Sequence, residues 1–258
     1  MSPSPKADPA VSSFIQIRGL HKSFDTQKVL RGVDLDISRG ETLVLVGPSG
    51  EGKSVLLKHI IGLLCPDDGR ITFDGTPLTG LKERQLAPIR RRIGYLFQNS
   101  ALFDSFTVAQ NVAFPLVESG MKDQAEIDSR VQEALDVVEL GEHKNKMPIN
   151  LSGGMRKRVG IARAIVGRPE IILYDEPTAG LDPIVTDVID NLIRRLQKRY
   201  HVTSVVITHD MASVFKIADR VVMLKNGVVY FNGSAEELRG SKDTFIQDFI
   251  SGRSGMTS

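Results

Sequence analysis

"TLVLVGPSGEGKS" (residues 42–54) decides the fold. Residues 42–47 form a short, continuous apolar run, the pattern of a strand buried on both faces of a parallel sheet. Gly47–Ser54 keeps the spacing G-x-x-x-x-G-K-[ST], and "KSVLLKHIIGLL" (53–64) reads as a helix. In this strand–loop–helix setting, Gly47, Pro48, Ser49, Gly50, Glu51 and Gly52 build a loop that cradles phosphate. Its backbone N–H groups and the positive end of the helix supply the grip. Lys53 reaches the β- and γ-phosphates, and the Ser54 hydroxyl is a Mg²⁺ ligand. A chance Gly-rich turn would lack the strand before it and the helix after it.

Glu51 is an anion inside a loop built for anions. A carboxylate about 4 Å from a phosphate charge costs about 4 kcal/mol at an effective dielectric of 20. That is nearly three powers of ten in affinity. Beyond roughly 10 Å and near water the cost falls below about 1 kcal/mol, and salt screens it further. Glu51 is therefore expected to face away from the nucleotide. It then either meets a basic or donor group on a partner subunit or stands solvated.

The rest of the chain fits a globular protein. Its 258 residues suit one or two domains, and 41% apolar with 25% charged residues allow a sizeable core. A formal charge of +2 leaves no footprint of non-specific nucleic-acid binding. The single Cys65 excludes an internal disulfide and fits a reducing compartment. No apolar run approaches the roughly 20 residues needed to span a bilayer. Residues 1–13 lack an apolar signal region and read as a disordered tail rich in Ser and Pro. A soluble, cytoplasmic protein is expected, serving a membrane only as a peripheral partner.

Strand patterns recur at 14–20, 29–37, 70–75, 92–97, 170–177 and 203–210, and residues 220–233 form a hairpin turned at Asn226-Gly227. Residues 123–139 carry helical spacing at Ile127, Val131, Ala134, Leu135 and Val138. Alternation of this kind implies an open, mostly parallel α/β sheet with ligands at the C-terminal strand ends. "IILYDE" ends at Asp175 and Glu176. Asp175 suits Mg²⁺, usually through water, and Glu176 suits polarising an attacking water. "LSGG" precedes a helix with a basic first turn, so Ser152, Gly153 and Gly154 read both as a second anion site and as a helix cap.

The order of these pieces resembles the nucleotide-binding subunit of an ATP-binding-cassette (ABC) transporter over about residues 14–240. The resemblance rests on the loop at 47–54, Gln98 in "YLFQN", "LSGG", "YDEPTAGLDP" and His209 in "VVITHD". It implies a P-loop ATPase core with an antiparallel β subdomain, a helical subdomain near 99–166, and a C-terminal extension, 241–258, as a possible partner contact. It places adenine on Phe24, which otherwise reads as a core aromatic. Gln98 would touch Mg²⁺, Asp182 would lie in the loop crossing a dimer interface, and His209 would contact the γ-phosphate. It further implies a head-to-tail homodimer, each ATP held between one chain's phosphate loop and the other's "LSGG", bound to transmembrane permease subunits at the cytoplasmic face of the inner membrane.

Met155 and Val55 depart from the commonest pattern, which has glutamine after "LSGG" and often a second hydroxyl after the loop serine. Val55 forgoes an α-phosphate hydrogen bond worth on the order of 1 kcal/mol. Both fit one subgroup. "GKSVLLKHIIGLLCPDDGRI", "NSALFDSFTVAQNVAFPL", "MPINLSGGMRKRVGIARAI" and the tail "FIQDFISG" resemble the ATPase of Mla-type phospholipid transporters, whose complexes include a lipid-binding substrate domain. The alternatives are the ATPase of a polar-solute importer and, less well supported, a non-transport ABC ATPase. Leu102, Phe103 and Phe106 either line a groove for a permease helix or pack inside the helical subdomain.

Overall fold

The computed structural model describes residues 13–253, so all of the expected tail except Ser13 lies outside the described residues. β1 (Ile15–Phe24), β2 (Gln27–Ile37), β4 (Asp68–Phe73) and β5 (Thr76–Pro77) make an antiparallel sheet in the order β2-β1-β4-β5. β3 (Thr42–Val46), β6 (Ile93–Leu96), β7 (Ile171–Asp175), β8 (Thr203–Ile207), β9 (Arg220–Lys225) and β10 (Val228–Gly233) make a second sheet, ordered β10-β9-β3-β8-β7-β6. It is parallel except at the β9–β10 hairpin.

The continuous apolar runs are explained by two cores. Leu43 and Leu45 of β3 point between the two sheets, and Val44 and Val46 point beneath the helices. β7 repeats this with Ile171 and Leu173 against Ile172 and Tyr174. Each side chain so buried contributes about 1.5–3 kcal/mol before the entropy of ordering it is subtracted. Successive residues serve opposite faces, so these runs are apolar apart from small buried hydroxyls such as Thr42, Thr203 and Ser204 and the carboxylate that ends β7.

α1 (Lys53–Ile60) stops short of the expected Leu64. Gly62 enters the left-handed region at φ 70°, and the N–H groups of Gly62 and Leu63 turn back to His59 O and Lys58 O. α2 (Glu83–Arg90) and α3 (Val108–Glu118) each contain a proline, and α3 lies in the helical subdomain that the resemblance implies near 99–166. The legible signal for α3 is its capping box, Thr107 with Gln110. α4 (Gln124–Val137) starts at the N-cap Asp123, where the periodicity begins. α5 (Gly153–Ile165) packs on α3 and α4.

α6 (Pro183–Tyr200), α7 (Met211–Ile217), α8 (Ala235–Arg239) and α9 (Thr244–Ile250) are the remaining α-helices among the described residues. α9 docks on its own subunit. Ile246 is buried, Asp243 accepts a hydrogen bond from the Tyr230 hydroxyl at 2.6 Å, and the Lys225 ammonium lies 3.6 Å from the Phe245 ring centre. No helix among the described residues is long and apolar enough to cross a membrane.

Candidate active site

The phosphate loop, Gln98, Asp175–Glu176 and His209 all follow C-terminal ends of neighbouring parallel strands, β3, β6, β7 and β8. Backbone packing fixes the loop. A Cβ on Gly47 would lie 2.3 Å from Leu224 O. Gly52 caps α1 at φ 87° with no side-chain cap, so the first-turn N–H groups remain open to a ligand. Lys53 Nζ donates to Gly47 O and Pro48 O, both at 2.7 Å. Burial lowers its pKa, while Glu176, Glu51 and Asp175 support its charge.

Asp175 is 8% exposed and accepts from the Ser54 hydroxyl at 3.0 Å and the Tyr95 hydroxyl at 3.3 Å. Burial, together with Asp175, pushes the Tyr95 phenol well up, so it stays a donor. Next to Asp175, Glu176 has φ 53°, a conformation that costs a non-glycine residue on the order of 1–3 kcal/mol. Its backbone is held from both sides: its N–H donates to Ile207 O at 3.0 Å, and its carbonyl accepts from Lys157 Nζ at 2.9 Å. Its Oε2 is buried without an aligned hydrogen bond, and His209 Nδ1 stands 2.9 Å away. The structure thus brings Lys53, Ser54, Asp175, Glu176 and His209 together. Gln98, exposed after β6, joins them through its carbonyl, which also accepts from Lys157.

Sequence reasoning missed Lys157 and Tyr95. In "RKR", Lys157 reads as part of a solvent-facing basic turn, yet it is 6% exposed and points inward. The first turn of α5 is therefore less of an anion site than its charges suggest.

Glu51 corrects an expectation. It meets a donor on its own chain and is not fully solvated: its Oε2 accepts the Gly227 N–H at 3.2 Å, and the residue is half-buried. Gly227 belongs to the β9–β10 turn, where Asn226 and Gly227 both have positive φ, at 52° and 73°. Phe24, at the end of β1, is 43% exposed, which rules out the core reading. Val55 packs against the inter-sheet core, so its side chain is occupied there.

Ser152 N-caps α5 by accepting the Met155 N–H at 3.3 Å, and a Cβ on Gly154 would lie 2.4 Å from Val185 Cγ1, at the start of α6. Asp182 caps α6 through the Ile184 and Val185 N–H groups, both at 3.0 Å. Among the described residues, no hydrogen bond or ion pair links 152–154 to this chain's own 47–55.

Residues 30–179 match the family described as ABC transporter. The chain belongs to the ABC transporter ATPase family. A probable ribonucleotide transport ATP-binding protein, mkl, of Mycobacterium leprae is 42% identical over 93% of this chain and 69% of its own length. Protein trigalactosyldiacylglycerol 3, chloroplastic, of Arabidopsis thaliana is 37% identical over 92% of this chain and 73% of its own. A methionine import ATP-binding protein, MetN 1, of Acinetobacter baylyi is 43% identical over 85% and 62%. A solved dimeric ATP-binding cassette in a post-hydrolysis state with ADP and Pi superposes with a TM-score of 0.80 at 34% identity, covering 86% of this chain and 98% of that one. The fold is that of an ABC cassette, and the protein is an ATP-binding ABC ATPase.

Proposed function

We propose that this ATPase powers Mla-type phospholipid transport as a head-to-tail homodimer beneath permease subunits, on the cytoplasmic face of the inner membrane, in a complex that includes a lipid-binding substrate domain. The observation that carries the homodimer is the separation of Ser152–Gly154 from this chain's own phosphate loop. A second copy would supply them across the nucleotide, with Asp182 at the crossing. The lipid reading is supported by Val55, by Met155 and its flanking stretches, and by the relative whose printed name is that of a galactolipid.

In the proposed site the loop N–H groups, the α1 N-terminus and Lys53 hold the phosphates, and Phe24 offers its exposed ring to adenine. Ser54 Oγ and the Asp175 carboxylate, 3.0 Å apart, are hard oxygen donors that fit Mg²⁺, and Gln98 follows the neighbouring strand. When bound, Mg²⁺ neutralises charge on the β- and γ-phosphates. Glu176 takes the proton of the attacking water with its carboxylate, and His209, 2.9 Å from Oε2, stands beside it to meet the γ-phosphate.

Residues 99–166 form the helical subdomain of this reading. A groove of about 800 Å³ between α2, the end of β6 and α3, lined by Ala87, Tyr95, Phe97, Phe103, Phe114 and Pro115, receives the permease helix. Phe103, at 41% exposed, lines it. Phe106 instead packs behind Phe103, with ring centres 5.1 Å apart, and half-buried Leu102 packs on the core.

A second reading, the ATPase of a polar-solute importer, draws on the methionine-import relative. Purifying the native complex and identifying its co-purified molecules separates the two. Phospholipid with a lipid-binding subunit supports the first reading, and a soluble amino-acid-binding protein with its solute overturns it.

A further inference from the structure

One face of α5 grips the loop that leaves β6. Lys157 Nζ donates to Gln98 O; a Cβ on Gly160 would lie 2.6 Å from Leu96 Cδ1 and 3.3 Å from Ser100 Cβ; Arg163 donates to Ser100 O and, at 2.7 Å, to Ala101 O. Positions 157, 160 and 163 recur every three residues, so they share one side of the helix. The loop needs holding, because Ser100 and Ala101 both have positive φ, at 59° and 44°.

Lys157 differs from Arg163 in one respect. The same ammonium that holds Gln98 O also holds Glu176 O, at 2.9 Å. It is 6% exposed and makes no ion pair within 4.0 Å among the described residues. Both of its hydrogen-bond partners are backbone carbonyls. A buried ammonium spent on carbonyls acts as a fixed donor, since a carboxylate partner would have offset its desolvation better. What it fixes is unusual. Pro177 disfavours the right-handed α region for Glu176, leaving extended or left-handed backbone, and the observed φ is 53°. The two conformations aim the Glu176 side chain differently.

We propose that Lys157 is a positioning residue for ATP hydrolysis: from α5 it ties the backbones of Gln98 and Glu176 together and thereby sets the aim of the Glu176 carboxylate. A movement of the helices that carry α5 would then reach Glu176 and the Gln98 loop through one side chain. This rests on Glu176 being the general base.

The test is steady-state ATP hydrolysis by the full chain, comparing Lys157→Met, Lys157→Gln and Glu176→Gln with wild type. Lys157→Met keeps the volume and removes the donors. It is expected to lower kcat at least tenfold with KM for ATP within threefold, since Lys53 and the loop are untouched. Lys157→Gln retains N–H donors without the charge and is expected to recover kcat to within fivefold of wild type. Backbone amide exchange at 176–180 should quicken in the methionine variant and not in the glutamine variant.

A kcat within twofold of wild type for folded Lys157→Met, with Glu176→Gln inactive, overturns the positioning role and leaves the base intact. Glu176→Gln active within threefold of wild type overturns both. If the methionine variant fails to fold, the glutamine variant decides. A hundredfold loss of kcat in folded Lys157→Gln means that charge, and not donation to the two carbonyls, is what matters, and the proposal fails.

Discussion

Two helix N-termini that the proposed site assigns to one nucleotide differ in how their first turns are satisfied. α1 begins at Gly52 in a left-handed conformation, with no side chain taking its first N–H groups. α5 begins at Ser152, whose hydroxyl already takes the Met155 N–H at 3.3 Å. An uncapped helix start leaves its partial positive charge and its donors free for a phosphate, whereas a capped start has satisfied one donor internally. Around α1 stand the ammonium of Lys53, the Ser54 hydroxyl and the carboxylates of Asp175, at the end of β7, and Glu176, just after it. Around α5, Lys157 turns inward to Gln98 and Glu176, while the exposed Arg156 donates to Leu151 O at 2.6 Å. In the proposed homodimer the α1 end would bind nucleotide alone, and the α5 end would close over a nucleotide already bound.

The sharpest way to break this comparison is to remove the chemistry and keep the binding. Glu176→Gln is expected to retain ATP and lower turnover by roughly 10²–10⁴-fold, the range of a general base. Sizing that variant with and without ATP also tests the closure: ATP should shift monomer to dimer. A monomer in both conditions, permease present, would leave the α5 end without its assigned role. Lys53→Ala, on the α1 side, should lose at least about 10²-fold in hydrolysis, comparable to deleting a single preorganised donor at a developing charge. ATP titration should show its loss in binding as well.

Ser152→Ala tests the other end. Loss of an N-cap costs about 1 kcal/mol, visible as a fall of about 2–4 °C in Tm. If α5 only closes over the ligand, the variant binds ATP as a monomer within about threefold of wild type, since 0.6 kcal/mol is a factor of about three, while the ATP-induced dimer weakens. Equal loss of monomer binding would mean that α5 contributes to the first encounter, and the contrast with α1 would collapse.

What could be read from sequence follows the same division. β3, β7 and β8 were legible because strands buried on both faces carry nearly continuous apolar runs. The α1 loop was legible because its chemistry is local, with eight consecutive residues supplying cradle, cation and hydroxyl. The partners of Lys157 and Glu51 were not. Lys157 lies 59 residues from Gln98, and its burial depends on a loop geometry that leaves no mark in "RKR". α2 and α3 each hold a proline, Pro88 and Pro115, because tertiary packing outweighs a local preference against it. The groove assigned to a permease helix left a partial trace: the apolar residues at 102–106 were evident, but only packing shows that Phe103 is exposed while half-buried Phe106 packs against it. Phe103→Asp should therefore release the permease partner and leave Tm within a few degrees of wild type; unfolding would place Phe103 in the core instead.

The smallest effect belongs to Glu51, the anion in the phosphate loop. Its Oε2 bonds to the Gly227 N–H at 3.2 Å, and Gly227 O in turn accepts the Arg31 N–H at 2.8 Å. Gly227 is thus pinned between the phosphate loop and β2. Its own glycine is required, because a Cβ there would lie 2.6 Å from Val29 O. The carboxylate is spent on fastening the loop to the β9–β10 turn. A hydrogen bond to a charged acceptor contributes about 1.5–3 kcal/mol when buried and less at a half-buried site such as this. Glu51 also supports the charge of Lys53, so its removal has two opposed consequences for ATP. The loop loosens and the ammonium is less stabilised, which weakens binding, while one negative charge leaves the neighbourhood of the phosphates, which strengthens it. Because the carboxylate is turned toward Gly227, neither term reaches the roughly 4 kcal/mol of a direct contact. Glu51→Ser is therefore expected to change ATP affinity less than about tenfold, that is by under 1.4 kcal/mol, and to lower Tm by a few degrees. Fluorescent-nucleotide titration and thermal melts measure both. A hundredfold gain in affinity would show that the carboxylate swings to the phosphates in solution, and that the Gly227 contact does not hold it away.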